Sequence, residues 1–328
     1  MRTPLTDPTG PLVVVQRLLN AVLDDVWGAG LNVVADLTGV ELLASPFMQR
    51  AYLAAVCIAF IGPVVGSFLV HREMAMIGDT LAHSAFAGVA AGLFVNATFA
   101  VTVPPLLTAL VVAAVAALLV QTLVDYAGTY RDTSLAIVLT GSFAVGSVLV
   151  TATDGGIAVG INAYLFGSLA TVSRANAAIL LASSGVVGVV AAAYRPLLYV
   201  TFDTVGARAA GLDVERYNRM LAVLTAVVVV AAMQIMGVIL VAAMLVIPVA
   251  TTTVVTGFKR ALVAAVVAAV VAGQFATVTG VTLSYLYDVA AGGAVVLVAI
   301  AGYAAVAVAV RVRRRIALHR REAPRREP

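Results

Sequence analysis

The 328-residue chain is poor in charge, cysteine, histidine and lysine, and each shortage excludes a class of protein. Asp, Glu, Lys and Arg make up 11% of it and apolar residues 62%, where soluble domains carry about 25% charged residues. With a mean hydropathy of +1.07, no water-soluble core absorbs that much apolar surface. One cysteine, Cys57, excludes an internal disulfide and a cysteine-cluster metal site. Three histidines, His71, His83 and His319, leave no basis for a histidine-rich catalytic centre, and no H-E-x-x-H occurs. The single lysine, Lys259, lies in no G-x-x-x-x-G-K-[ST] context, so ATP-driven work requires a separate subunit. No nucleophile stands beside a base, which excludes the usual hydrolytic centres. The net charge of +4 resembles a nucleic-acid signal, but the basic residues gather at the ends of apolar runs and in the tail. No nucleic-acid partner is expected.

What remains is an all-α integral membrane protein, a polytopic bundle of about nine transmembrane helices. A bilayer core about 30 Å thick needs about 20 apolar residues per helix. Such runs fall near 51–70, 77–96, 101–124, 134–153, 176–194, 219–235, 238–256, 261–278 and 290–310. Residues 219–256 form one almost uncharged run, about twice the length of a span, so it must turn back near Gln234–Gly237. Pro63 and Pro248 lie inside runs and are expected to kink them. Nine spans put Arg72, Arg131, Arg195–Arg219, Lys259–Arg260 and the tail from Arg311 on one side, 16 of the 20 basic residues. The positive-inside rule makes that side the cytoplasm, with the N-terminus outside the cell membrane and the C-terminus within. Residues 1–50 form an N-terminal extension, with an amphipathic helix over Leu12–Trp27 and no cleavable signal peptide expected; 311–328 is a basic cytoplasmic tail.

Ionisable residues at membrane depth are costly and point to function. In HREMAMIGDTLAHSAFAGVAAG, Asp79 and His83 are four apart and share a helical face. A carboxylate oxygen and a neutral imidazole nitrogen suit a divalent transition metal, though two ligands do not complete a site, and helix capping by Asp79 is an alternative. Ser84, Gly88 and Gly92 recur every four residues, which permits close helix approach. A second polar island, FDTVGARAAGLDVERYNRM, residues 202–220, places Asp203, Ala207 and Gly211 four apart. Gly211 is suited to end a short helix and Asp213 to cap the next, which makes a hairpin fit to dock a soluble partner or an ordinary loop.

The chain resembles the membrane permeases of ATP-binding-cassette importers for zinc, manganese and iron. The likeness rests on R-x-M-x-x-x-G-D-T-L-A-H-S (Arg72 to Ser84), AYLFG (Ala163 to Gly167), D-x-x-x-A-x-x-x-G-L (Asp203 to Leu212), GVILVAAMLVIPVAT (Gly237 to Thr251) and S-Y-L-Y-D-x-x-x-G (Ser284 to Gly292), in the family's order. The resemblance implies that Asp79 and His83 hold or gate the metal, and that 202–220, with Asp203, Ala207 and Gly211, couples to the ATPase. It implies two permeases forming a homodimer, two ATPase subunits and an extracellular metal-binding receptor. It further implies alternating access, with Zn²⁺, Mn²⁺ or Fe²⁺ as cargo and no permanently bound cofactor. Ala290 stands where family members often have proline, and Thr140 where some zinc-type members have histidine. AIVLTGSFAVG is closer to manganese- and iron-type members and AYLFG to zinc-type ones, so the metal stays open. The alternative is a self-sufficient secondary carrier or channel, which the nearly charge-free span interiors disfavour.

Overall fold

The computed structural model describes residues 26–39, 41–99, 101–126, 130–153, 164–165, 167, 183–256 and 262–322. The amphipathic helix expected over Leu12–Trp27, but for its last two residues, and the first seven residues of the fifth span expected at 176–194 lie outside the described residues. The helices are α1 (Ala29–Thr38), α2 (Pro46–His71), α3 (Ile77–Phe99), α4 (Pro105–Tyr126), α5 (Arg131–Thr151), α6 (Gly185–Ala192), α7 (Tyr194–Phe202), α8 (Thr204–Ala209), α9 (Val214–Thr256), α10 (Leu262–Tyr287) and α11 (Ala291–Glu322). No strand occurs among the described residues. Eight of the segments are long and apolar enough to cross a membrane, α9 supplying two of them. The α6–α7 pair, bent by 68°, brings the number to nine if it is one broken span. Its helix runs on to Phe202, eight residues past the end of the run read from the sequence.

The long apolar run folds back as its length demands. Over its 43 residues α9 would measure about 64 Å if straight. Gly237 breaks it, with φ 82° and ψ 160°, a conformation open to glycine and strained for other residues. The contacts on either side prove the reversal. Arg72, at the end of α2, bonds to Asn218 at the start of α9. Gly66, six residues back along α2 and so about 9 Å away, abuts the Leu245 backbone. A straight helix would hold Asn218 and Leu245 about 40 Å apart.

Helices α2 and α3 and the two arms of α9 form the centre. Some 78% of the α2 span is buried, against 11% for α11. Glycines set the spacing: Gly62 and Gly66 of α2 and Gly78 of α3 lie against Met244 and Leu245, so a methyl group at Gly66 would meet a carbonyl. On α3, Gly88 and Gly92 pack on Pro105, Thr108 and Ala109 of α4, the close approach read from the sequence. Ser84, third in that stripe, turns instead to α5 and pairs with Ser142 at 2.8 Å. Pro63 stays within α2, as Pro248 does within α9. The carbonyl of Ala59 loses its helical donor to Pro63 and lies beside Gly273 of α10. Polar clips hold that seam: Gln274 donates to the Val56 carbonyl at 2.9 Å, and the Tyr52 and Thr282 hydroxyls meet at 2.7 Å.

At the end of the bundle where α2 begins, Trp27 Nε1 donates to the Gln49 carbonyl at 2.7 Å, and Gln49 Nε2 donates to Asn32 Oδ1 at 2.7 Å. These bonds fasten α1 onto α2. Ser284 Oγ donates to the Val289 carbonyl at 2.6 Å and closes the α10–α11 turn, where Asp288 takes φ 51°. Asp and Asn tolerate that left-handed conformation, so this motif carboxylate sits in the turn.

Candidate metal site and coupling hairpin

Asp79 is in the first turn of α3 and His83 one turn on, so helical geometry alone places them together. Their Oδ1 and Nε2 atoms are 3.6 Å apart, too far for a good hydrogen bond. One Zn²⁺ held tetrahedrally by both would place them about 3.4 Å apart, given bonds of about 2.1 Å. The spacing therefore fits a shared cation with little rearrangement. The Nδ1 atom of His83 is buried and without a hydrogen-bond partner, a rare condition for a buried polar atom. The ring stands edge-on to Phe143 of α5, centroids 5.4 Å apart at 90°, and Phe143 stacks on Phe86 at 5.8 Å. The α3–α5 seam beneath is fastened by the Ser84–Ser142 pair and by Thr80 donating to the Leu135 carbonyl. This sets the imidazole against a wall with one side open.

That open side matters. The side chains of Asp79 and His83 are 40% and 25% exposed, and Met76, Ile137, Thr140 and Phe143 around them are exposed too. Among the described residues no cluster of three His, Cys, Asp or Glu forms anywhere. The pair, two potential ligands, faces the surface of the chain. Thr140 donates to the Ala136 carbonyl of its own helix, so its hydroxyl is already engaged. Phe143 carried no signal in the sequence; only the packing of α5 on α3 brings it to His83.

The 202–220 hairpin forms as its residues dictate. Asp203 caps α8, accepting from the Gly206 amide at 2.7 Å. Gly211, at φ 80°, reverses the chain after α8, and Asp213 Oδ1 accepts from the Arg216 amide at 3.0 Å. The three candidates at four-residue spacing do not present one exposed face, however. Ala207 is fully buried in a small cluster with Val200 and Val214, because α8 lies flat against α7 and the start of α9. The outward face carries Val205, 79% exposed, with Arg208 and Ala209.

Arg72, the first residue of the Arg72–Ser84 motif, links the end of α2 to the helices around the hairpin. Its Nε donates to Thr201 at 2.8 Å, Nη1 to Asn218 at 2.6 Å and Nη2 to the Leu197 carbonyl at 3.3 Å. These partners lie on α7 and on the start of α9, the helices on either side of α8. Its own carbonyl accepts from Arg131, at the start of α5. Burial, with the Arg131 charge second, pulls the guanidinium down to about 10, so it stays charged at neutral pH. The partners are far apart in sequence, so periodicity held no sign of this node.

Eight helical segments long and apolar enough to cross a membrane, packed into one bundle, define a multi-pass membrane protein. The model of the ABC 3 transport family matches residues 44–310, and the chain belongs to that family. It is 34% identical over 262 residues to the manganese transport system membrane protein MntC of Halalkalibacterium halodurans, covering 79% of this chain and 86% of that protein. It is 29% identical to the high-affinity zinc uptake system membrane protein ZnuB of Haemophilus influenzae, covering 75% and 91%. Among solved structures, PsaBC from Streptococcus pneumoniae in complex with Fab superposes with a TM-score of 0.71 at 26% identity, covering 83% of this chain and 95% of that one.

Proposed function

We propose that this protein is the permease subunit of an ATP-driven importer of divalent transition-metal ions, zinc or manganese and by extension iron. The relatives named for manganese and zinc transport support the substrate class. The observation that carries the reading is the Asp79–His83 pair at 3.6 Å, open on one side and short of a complete ligand set. A second permease completes the path by setting its own pair across from this one, so the ion passes between two copies. The metal is cargo, and no resident cofactor is required. ATP is hydrolysed on a separate subunit that docks on the Val205–Arg208 face of α8, held by Asp203, Ala207 and Gly211. An extracellular receptor delivers the ion to the opposite mouth. The positive-inside rule supports a cytoplasmic position for the basic helix ends, with the C-terminus inside and the N-terminus outside.

The test is cellular metal content in a strain lacking the gene, grown under metal limitation and complemented with wild type, Asp79→Ala or His83→Ala. Wild type restores one metal, and each variant loses uptake at least about tenfold at equal membrane abundance. Uptake at the wild-type level in both variants would remove the pair from the path. No metal response to wild type would remove the substrate class itself.

A further inference from the structure

The second half of α9, α10 and α11 enclose a cleft of about 540 Å³ that opens sideways from the bundle. It is lined by Val255, Val271, Phe275, Gly302 and Val306, among others. Its helices belong to the side of the bundle built on α2 and α9, whereas the Asp79–His83 pair faces out between α3 and α5. The cleft offers an ion or water little to bind. Its two threonines donate to their own helix, Thr251 to the Ile247 carbonyl at 2.8 Å and Thr252 to the Val249 carbonyl at 2.9 Å. Apart from the Tyr303 hydroxyl, the remaining side chains are hydrocarbon. An apolar occupant is therefore required, and the surroundings supply it: Val255, Val271 and Phe275 are more than 60% exposed in segments that lie at membrane depth.

The cleft also has a charged end. It runs from the middle of α11 toward the basic end of the bundle: Val255 is one residue from the end of α9, and Val306 is five residues before Arg311. On α11, Arg313 stands seven residues beyond Val306 and eleven beyond Gly302, close to two and three full turns. It therefore lies on the cleft's own face, about 10 Å above Val306, and its side chain leans back toward the cleft. Arg311, nine residues past Gly302, lies on the opposite face. We infer that this cleft is a binding site for an anionic phospholipid, with an acyl chain between α9, α10 and α11 and the phosphate on Arg313. The inference is independent of the metal and of the direction of transport.

Native mass spectrometry of the purified full-length protein, equilibrated with equal amounts of palmitoyl-oleoyl phosphatidylglycerol and phosphatidylcholine, tests it. Wild type retains phosphatidylglycerol in preference. Arg313→Gln lowers that preference about fivefold, the effect of one basic residue near an anionic surface, while Arg311→Gln leaves it unchanged. Gly302→Leu extends into open space and so keeps the fold, with an unchanged melting temperature, yet displaces both lipids. Equal losses in Arg313→Gln and Arg311→Gln would reduce the site to general surface charge and overturn the proposal. So would undiminished lipid retention in Gly302→Leu, or a dimer that dissociates in that variant with no lipid change, since a second copy would then be the occupant.

Discussion

Replacing Arg72 by Met removes the guanidinium while keeping most of the side-chain bulk, and its effect follows from the bonding around it. Two of the three donated bonds are short, to Asn218 at 2.6 Å and Thr201 at 2.8 Å; the third, to Leu197, is long at 3.3 Å. Hydrogen bonds from a charged donor contribute about 1.5–3 kcal/mol each, so the two short ones set a gross loss of about 3–6 kcal/mol. Two effects offset it. The guanidinium is partly buried with neutral partners, and removing it relieves a desolvation penalty of a few kcal/mol. Thr201 keeps its own bond to the Leu197 carbonyl at 2.6 Å, so Asn218 Oδ1 is the acceptor that loses most. The net expectation is a destabilisation of about 2 kcal/mol. Unfolding of the purified protein in mixed SDS micelles, followed by circular dichroism, measures it. A double-mutant cycle with Asn218→Leu isolates the pair and should return a coupling of about 1–2 kcal/mol. A destabilisation below about 0.5 kcal/mol, or additive single effects, would refute the view that Arg72 ties the hairpin to the α2–α3 turn.

Other substitutions separate packing from docking. Gly66→Ala would drive a methyl group into the Leu245 carbonyl and should cost about 2–3 kcal/mol or prevent folding; Gly141→Ala meets open space and should be neutral or stabilise by up to about 1 kcal/mol. Thermal melts of the two proteins side by side decide the point. Asp203→Ala removes the α8 cap and should cost about 1 kcal/mol, as a denaturant midpoint would register, whereas Asp203→Asn should retain most of it. Val205→Glu changes an exposed position, so stability should hold within about 0.5 kcal/mol while co-purification of the ATPase subunit falls. Unchanged co-purification would move the docking face elsewhere. Gly237→Ala should destabilise by about 1–3 kcal/mol in the same melts, because its φ of 82° and ψ of 160° are strained for a residue with a β-carbon.

The features legible in the sequence are those that depend on near neighbours along the chain. Apolar run lengths, measured against bilayer thickness, identified the spans Pro46–His71, Ile77–Phe99, Pro105–Asp125 and Arg131–Thr151 to within a few residues. The excess length of 219–256 required a reversal, and glycine marked its place. Asp79 and His83 meet because four residues make about one helical turn, and Gly211 ends one helix while Asp213 caps the next through a bond spanning three residues. What needed the tertiary structure are contacts between distant segments. Arg72 meets Thr201 and Asn218 across 129 and 146 residues. Phe143 reaches His83 only through the packing of α5 on α3. Ala207 turns inward although its spacing equals that of its exposed neighbours, because a helical face carries no mark of what covers it. Local geometry is written in periodicity and turn residues; which faces meet is decided by the packing of the whole bundle, where glycines admit one backbone to another and bulkier residues keep them apart.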